Sequence, residues 1–256
     1  MSLHVVFTSL AAYMLVFSRV GGMILFNPLL SRRNIPAQVK IALILGITLL
    51  LTPSASATMP QALSEAALVF AMVRELLVGV ACGFIFQVFY YLLFTAGDVI
   101  DMGFGLSMAK AFDPGTNIQM SMSGNLLQLL FVLYLFATNS HLILIRLMAS
   151  SYELVGMGAV AFGDNVGGFL IQLFTSAFSL VMQLALPFVA ASFVLELSMG
   201  ILMKLIPQIN VFSIHFQFKI LFGLLLLFAF AGPTAQFMEQ YMHTMFVNMQ
   251  NLFGVA

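Results

Sequence analysis

The sequence predicts an all-α fold: a helical membrane protein of stacked helical hairpins, with about six apolar helical segments, some of them broken or kinked. Three observations carry this. Only 7% of the 256 residues are charged, against roughly 25% in a soluble domain. Hydrophobic residues make up 62% and the mean hydropathy is +1.08, so a soluble fold would lack the charges to cover its surface. The apolar residues are gathered into long runs, and a bilayer-crossing helix needs about 20 of them. The formal net charge is zero, which leaves no basic footprint for nucleic acid. A lone cysteine, Cys82, excludes an intramolecular disulfide, and no Cys/His spacing fits a structural metal. The start "MSLHVVFTSL" has no basic n-region and no small-residue cleavage site close behind. The first apolar segment is therefore expected to stay in the mature protein.

Taken in order, the apolar runs are residues 5–30, 41–59, 66–96, 126–149, 166–195 and 211–231. Pro28 and Pro36 bracket the first turn, and "TPSASATMP" from Thr52 breaks the second run. Asn139-Ser140-His141 interrupts the fourth, which points to two shorter helices. Pro187 falls inside the fifth, where proline kinks or interrupts a helix. Such breaks are tolerated at membrane depth when buried in protein or lining a cavity. Arg32, Arg33 and Lys40 lie in the first connection, Lys110 in the third and Lys204 in the fifth. The second and fourth connections have no Lys or Arg, so the positive-inside rule puts odd connections in the cytoplasm and both termini outside.

Charges inside apolar runs are the candidate functional residues. Arg74 and Glu75 lie in the third run, where a central Arg costs about 2.5–3.5 kcal/mol on insertion scales. Adjacent on a helix, they point about 100° apart and each needs its own partner. A buried structural pair, a proton or ion relay, and a subunit interface are the three readings. Arg19 in the first run poses the same problem. Glu196 and Lys219 are expected to meet across a hairpin, and Asp98 and Asp101 complete the set a relay would use. Gly79 and Gly83 form a GxxxG, a spacing that lets helix backbones approach closely. His4, His141, His215 and His243 are scattered singly. Nothing resembles a nucleophile–base set, a phosphate loop or a cofactor site. Eighteen Met and 27 Phe with no Trp read as core packing or as a compliant apolar lining that opens and reseals.

Several stretches resemble one family along the whole chain. They are "FNPLLSRRNIPAQVKIALILG" from Phe26, "RELLVGVACGF" from Arg74, "GDVIDMGFGLSMAKAFDP" from Gly97 and "LALPFVAASFVLELSMGILMKLIPQINVFSIHFQFK" from Leu184. The last is the most specific. These resemble the FliR family of type III secretion export-gate proteins, flagellar branch. The chain departs from the pattern at Asn139-Ser140-His141 and in "YELVGMG" from Tyr152, which lacks a proline. The resemblance implies a non-enzymatic subunit in the bacterial inner membrane and flagellar basal body. It implies FliP and FliQ homologues as partners, with FlhB and FlhA, and unfolded proteins as cargo. It also implies a FliP-like part over about residues 1–160 and a FliQ-like hairpin part over about 161–256.

The stretch between the third and fourth runs is too polar to span and too rich in Met and Phe to be an ordinary loop. Gly103 and Gly105 supply backbone freedom to leave the helix path. Phe104, Met108 and Phe112 recur at i, i+4 and i+8, one side of a helical turn. Asp113-Pro114-Gly115 then turns the chain back. Family relatives carry a plug at this place, so residues 103–116 are expected to stopper the channel; a loop packed at a subunit interface is the alternative. Pro207 is expected at the turn of a C-terminal hairpin. The competing functions are a small ion- or proton-coupled permease using Arg74, Glu75, Asp98 and Asp101, and a purely structural scaffold.

Overall fold

A computed structural model describes residues 3–32, 34–55, 64–108, 121–158, 165–206 and 211–255. All regular structure among them is helical. The helices are α1 (Leu3–Phe26), α2 (Ala37–Ala55), α3 (Glu65–Phe104), α4 (Met122–Ala137), α5 (Ser140–Leu154), α6 (Val166–Leu205), α7 (Val211–Ala229) and α8 (Ala231–Val255). A short 3₁₀ turn, Leu106–Met108, follows α3. Among the described residues four helices are long and apolar enough to cross a membrane, and six spans result if each broken pair counts as one.

Local chemistry sets the boundaries. Helix α1 stops at Phe26, before the apolar run ends. Pro28 disfavours helix at Asn27, and the Asn27 side chain closes the turn by accepting from Leu29 N at 2.9 Å. Helix α3 begins where the Ser64 hydroxyl caps Ala67 N at 3.3 Å. It continues past the expected end at residue 96 to Phe104. The exit is Gly105, whose φ of 73° suits glycine and strains other residues. Gly103, expected to leave the helix path, is still inside it. The fourth run is broken as expected: Asn139 takes a left-handed φ of 55° between α4 and α5. Helix α6 runs through Pro187, so of the kink or interruption expected there the interruption is absent.

Helix α8 is missing from the sequence reading. The break before it fits Ala231-Gly232-Pro233, since Pro233 has no N–H for the preceding turn, and α7 and α8 bend by 61°. Its inner face carries Met238, Tyr241, Met242, Met245 and Met249, all buried. Gln236, Glu239, His243 and Gln250 face outward. This amphipathic pattern lowers the average hydropathy below that of a span, although the helix is as regular as the others.

The chain packs as two compact units, each assembled from separated segments. One comprises Met1–Phe89, Asn139–Phe174 and Thr244–Ala256; the other comprises Tyr90–Thr138 and Thr175–His243. In the first, α1 lies against α2 and α3. Cβ atoms added at Gly79 or Gly22 would collide with the facing backbone, the latter 2.5 Å from Leu76 O. Gly83 touches Phe26 in the same way. The GxxxG pattern therefore marks a real close crossing. In the second unit, Gly97 on α3 meets Gly124 on α4 backbone to backbone. Tyr90, Phe131, Tyr241 and Phe237 stack or meet edge-on in its core.

Candidate functional site

The first unit contains a closed polar cluster around one ion pair. Arg19, one turn before Gly22 on α1, reaches Glu75 on α3, Nε to Oε2 at 2.5 Å. Both are buried, at 3% and 0% exposure. The rest of the guanidinium is also occupied. Nη1 donates to Ser151 Oγ at 2.8 Å and Nη2 to Val155 O at 3.4 Å. The Tyr152 ring lies 4.1 Å from the guanidinium carbon, in the range of a cation–π contact. Glu75 uses its second oxygen to accept from Gly158 N at 2.8 Å. Gly158 has a φ of 71°, which a side chain would strain. A buried charge pair is tolerable when its remaining donors and acceptors are satisfied, and this one meets that condition. The cavity beside it, lined by Arg19, Gly79, Cys82 and Ser151, is about 10 Å³, close to the space one water needs.

Arg74 behaves differently from its neighbour. The sequence groups both with the buried charges, but Arg74 is exposed. Among the described residues no ion pair or hydrogen bond is assigned to it. The cause is the 100° step between successive helical residues: with Glu75 facing the interior of its unit, Arg74 faces out, among exposed Phe70, Val73 and Leu77.

Asp101 in the second unit is 1% exposed, and among the described residues no ion pair is assigned to it. Its carboxylate accepts from the Ser121 hydroxyl at 2.6 Å and from Ser123 N at 3.2 Å. Ser121 is the N-cap of α4, and its oxygen accepts from Gly124 N at 2.9 Å. The carboxylate thus sits on the free amides and positive end of a helix. Asp98 is half-buried on α3. Glu196 on α6 and Lys219 on α7 pair as the hairpin reading expected, at 2.5 Å.

The expected plug falls in two parts. Phe104 does not project; it is 0% exposed, its ring 6.5 Å from that of Phe222 and directly over Gly223, where a Cβ would lie 2.5 Å from it. Gly105 rests near Phe216 and Lys219. Met108 ends the 3₁₀ turn, while Phe112, Asp113 and Pro114 lie outside the described residues, as does Pro207.

Sequence reasoning missed the partners: Ser151, Tyr152, the Gly158 amide, Ser121 and Ser123. Two signals pointed to them. Ser150-Ser151-Tyr152 is a polar trio directly after the fourth apolar run, and a serine just before that run is a helix-start signature. Which charge each would meet depends on helices far apart in sequence.

Comparison with known proteins finds one family along the chain. The model of the bacterial export proteins, family 1, matches residues 10–245. The flagellar biosynthetic protein FliR of Escherichia coli strain K12 is 31% identical, over 89% of this chain and 87% of its own length. The FliR of Bacillus subtilis strain 168 is 26% identical over 96% and 91%. That of Caulobacter vibrioides is 28% identical over 83% and 85%. With the family match running through nearly all the described helices, the chain belongs to the bacterial export proteins, family 1.

Proposed function

We propose that this chain is a non-enzymatic subunit of the flagellar type III protein export gate in the bacterial inner membrane. With FliP and FliQ homologues it forms the channel for unfolded flagellar substrates, next to FlhB and FlhA homologues. The 1–160 and 161–256 parts serve as its FliP-like and FliQ-like portions. The observation that carries this reading is the use of the buried charges. Arg19, Glu75 and Asp101 are held by partners inside their own units, so they brace helices and do not converge on a transport site. A relay through Arg74, Glu75, Asp98 and Asp101 is disfavoured because both Glu75 oxygens and the Asp101 carboxylate are already held by partners inside their own units. Exposed apolar side chains such as Phe193, Val194, Ile201 and Phe228 match a subunit whose faces are covered by lipid and by other chains.

The stopper in this reading is the segment that leaves α3 at Gly105 and continues through Phe112, Asp113 and Pro114. Phe104 serves as its fixed root, held over Gly223. Apolar side chains seal by excluding water and yield to a passing chain. The test is deletion of residues 105–112 in the complex co-expressed with FliP and FliQ homologues. The expected result is an assembled complex that leaks ions or small molecules. A deletion complex that assembles and stays as tight as the parent overturns the plug. A chain that is stable, monodisperse and transports ions without partners overturns the gate reading itself.

A further inference from the structure

The second unit contains a recess that the gate reading does not use. It has a volume of about 260 Å³, well above the roughly 150 Å³ at which an apolar cavity already takes a benzene-sized guest. Its floor is Ile100, Phe188 and Met238, all buried. Its mouth is formed by Leu126 and Leu130 on α4 and by Leu227, Ala231 and Ala235 around the α7–α8 bend. The space exists because the first turns of α8 carry small side chains there: Ala231, Thr234 and Ala235, at i, i+3 and i+4. The Thr234 hydroxyl is already turned back onto Phe230 O at 2.8 Å. Tyr134 is the other polar residue of an otherwise apolar lining, which offers little to a water that needs two to four polar partners to stay in a cavity.

Beside this apolar recess lies an acidic group. Glu239 is exposed and stands four residues beyond Ala235, neighbouring it on the same helix face. An apolar slot with a carboxylate one turn from its mouth fits an amphiphile with a hydrocarbon tail and a cationic head. The helices around it belong to a chain whose medium is a bilayer. We propose that this recess is a phospholipid site: an acyl chain occupies the slot, and a headgroup ammonium, as in phosphatidylethanolamine, faces Glu239. The chain then holds a lipid where α7 and α8 diverge, and the lipid replaces the side chains missing at Ala231 and Ala235.

The full chain, reconstituted in nanodiscs, tests this with phosphatidylethanolamine and phosphatidylglycerol probes carrying a diazirine on the acyl chain. With the phosphatidylethanolamine probe, adducts are expected at Leu126, Leu130 or Leu227 several-fold above those at Phe228, which is 82% exposed on the outside of α7. Ala235→Phe, or Ala231→Leu where the first variant misfolds, should remove the groove adducts and leave those at Phe228. Glu239→Gln should lower phosphatidylethanolamine labelling to the level of the phosphatidylglycerol probe. Groove labelling no stronger than at Phe228, labelling that survives Ala235→Phe in a folded chain, or equal labelling of the parent by both lipids overturns the proposal. So does photo-crosslinking of a partner subunit's side chain into the groove in the assembled complex.

Discussion

Two ion pairs among the described residues have the same length and opposite surroundings. Arg19–Glu75 and Glu196–Lys219 both close at 2.5 Å. The first is dry, with neither side chain more than 3% exposed. In the second, the Glu196 side chain is 52% exposed and that of Lys219 12%. The difference teaches that distance does not measure what a pair contributes. An exposed pair is worth about 0–1 kcal/mol. A buried pair is worth little more when intact, yet removing one partner leaves a charge with no solvent, which costs about 3–5 kcal/mol. The Asp101 arrangement is a third kind, in which a buried carboxylate accepts from a hydroxyl and from the N-terminus of a helix.

The largest expected effect follows from the dry pair. Glu75→Ala should destabilise the chain by about 3–5 kcal/mol, read as unfolding by SDS in mixed micelles. Arg19→Met combined with Glu75→Leu should recover most of that loss, because no charge is left buried. A double variant as unstable as the single one would show that the contacts to Ser151 and Gly158, and not the charge, set the cost. Next come two adjacent glycines on α1. Gly22→Ala places a methyl against the Leu76 carbonyl and should cost about 1–3 kcal/mol as overpacking. Gly21→Ala has open space and should gain up to about 1 kcal/mol of helix propensity. Equal effects in thermal unfolding would deny the α1–α3 crossing.

Asp101→Ala should cost about 0.5–2 kcal/mol, the range for losing a cap, and should speed hydrogen exchange at the start of α4 before it does so elsewhere. Glu196→Gln should shift unfolding in detergent by no more than about 1 kcal/mol; a loss as large as that of Glu75→Ala would erase the contrast between the pairs. The smallest effect on the chain alone belongs to Arg74→Ala, within about 0.5 kcal/mol for an exposed site. Its consequence is expected in assembly, as a reduced yield of complex with FliP and FliQ homologues on native gels. Normal assembly together with lost proton-dependent transport would favour a relay.

Composition and run length were enough to read most helices, because the penalty for unpaired backbone in lipid leaves few alternatives to helix. The break at Asn139 and the pairing of Glu196 with Lys219 were also legible, since each rests on residues within about one hairpin. Helix α8 was not. An amphipathic helix averages its polar and apolar faces, and a search for unbroken apolar runs passes over it although its periodicity is intact. The length of α3 was misjudged for the converse reason. Asp98 and Asp101 look like the polar end of a span until Ser121 and Ser123 are seen to accommodate Asp101.

The sequence by itself determined the solvent, the helical class and which residues would be costly to bury, because these follow from transfer free energies that each residue carries wherever it goes. Only the tertiary structure decided how that cost is met. Arg19 finds a carboxylate 56 residues away and a hydroxyl 132 residues away. Arg74 finds no assigned partner among the described residues, although it sits beside Glu75 in the chain. Phe104, read as part of an apolar stopper in the channel, packs as a buried knob over Gly223 within the chain. The physical reason is common to all three. A helix fixes the angle between neighbours at about 100°, but which direction faces protein is set by packing against segments distant in sequence.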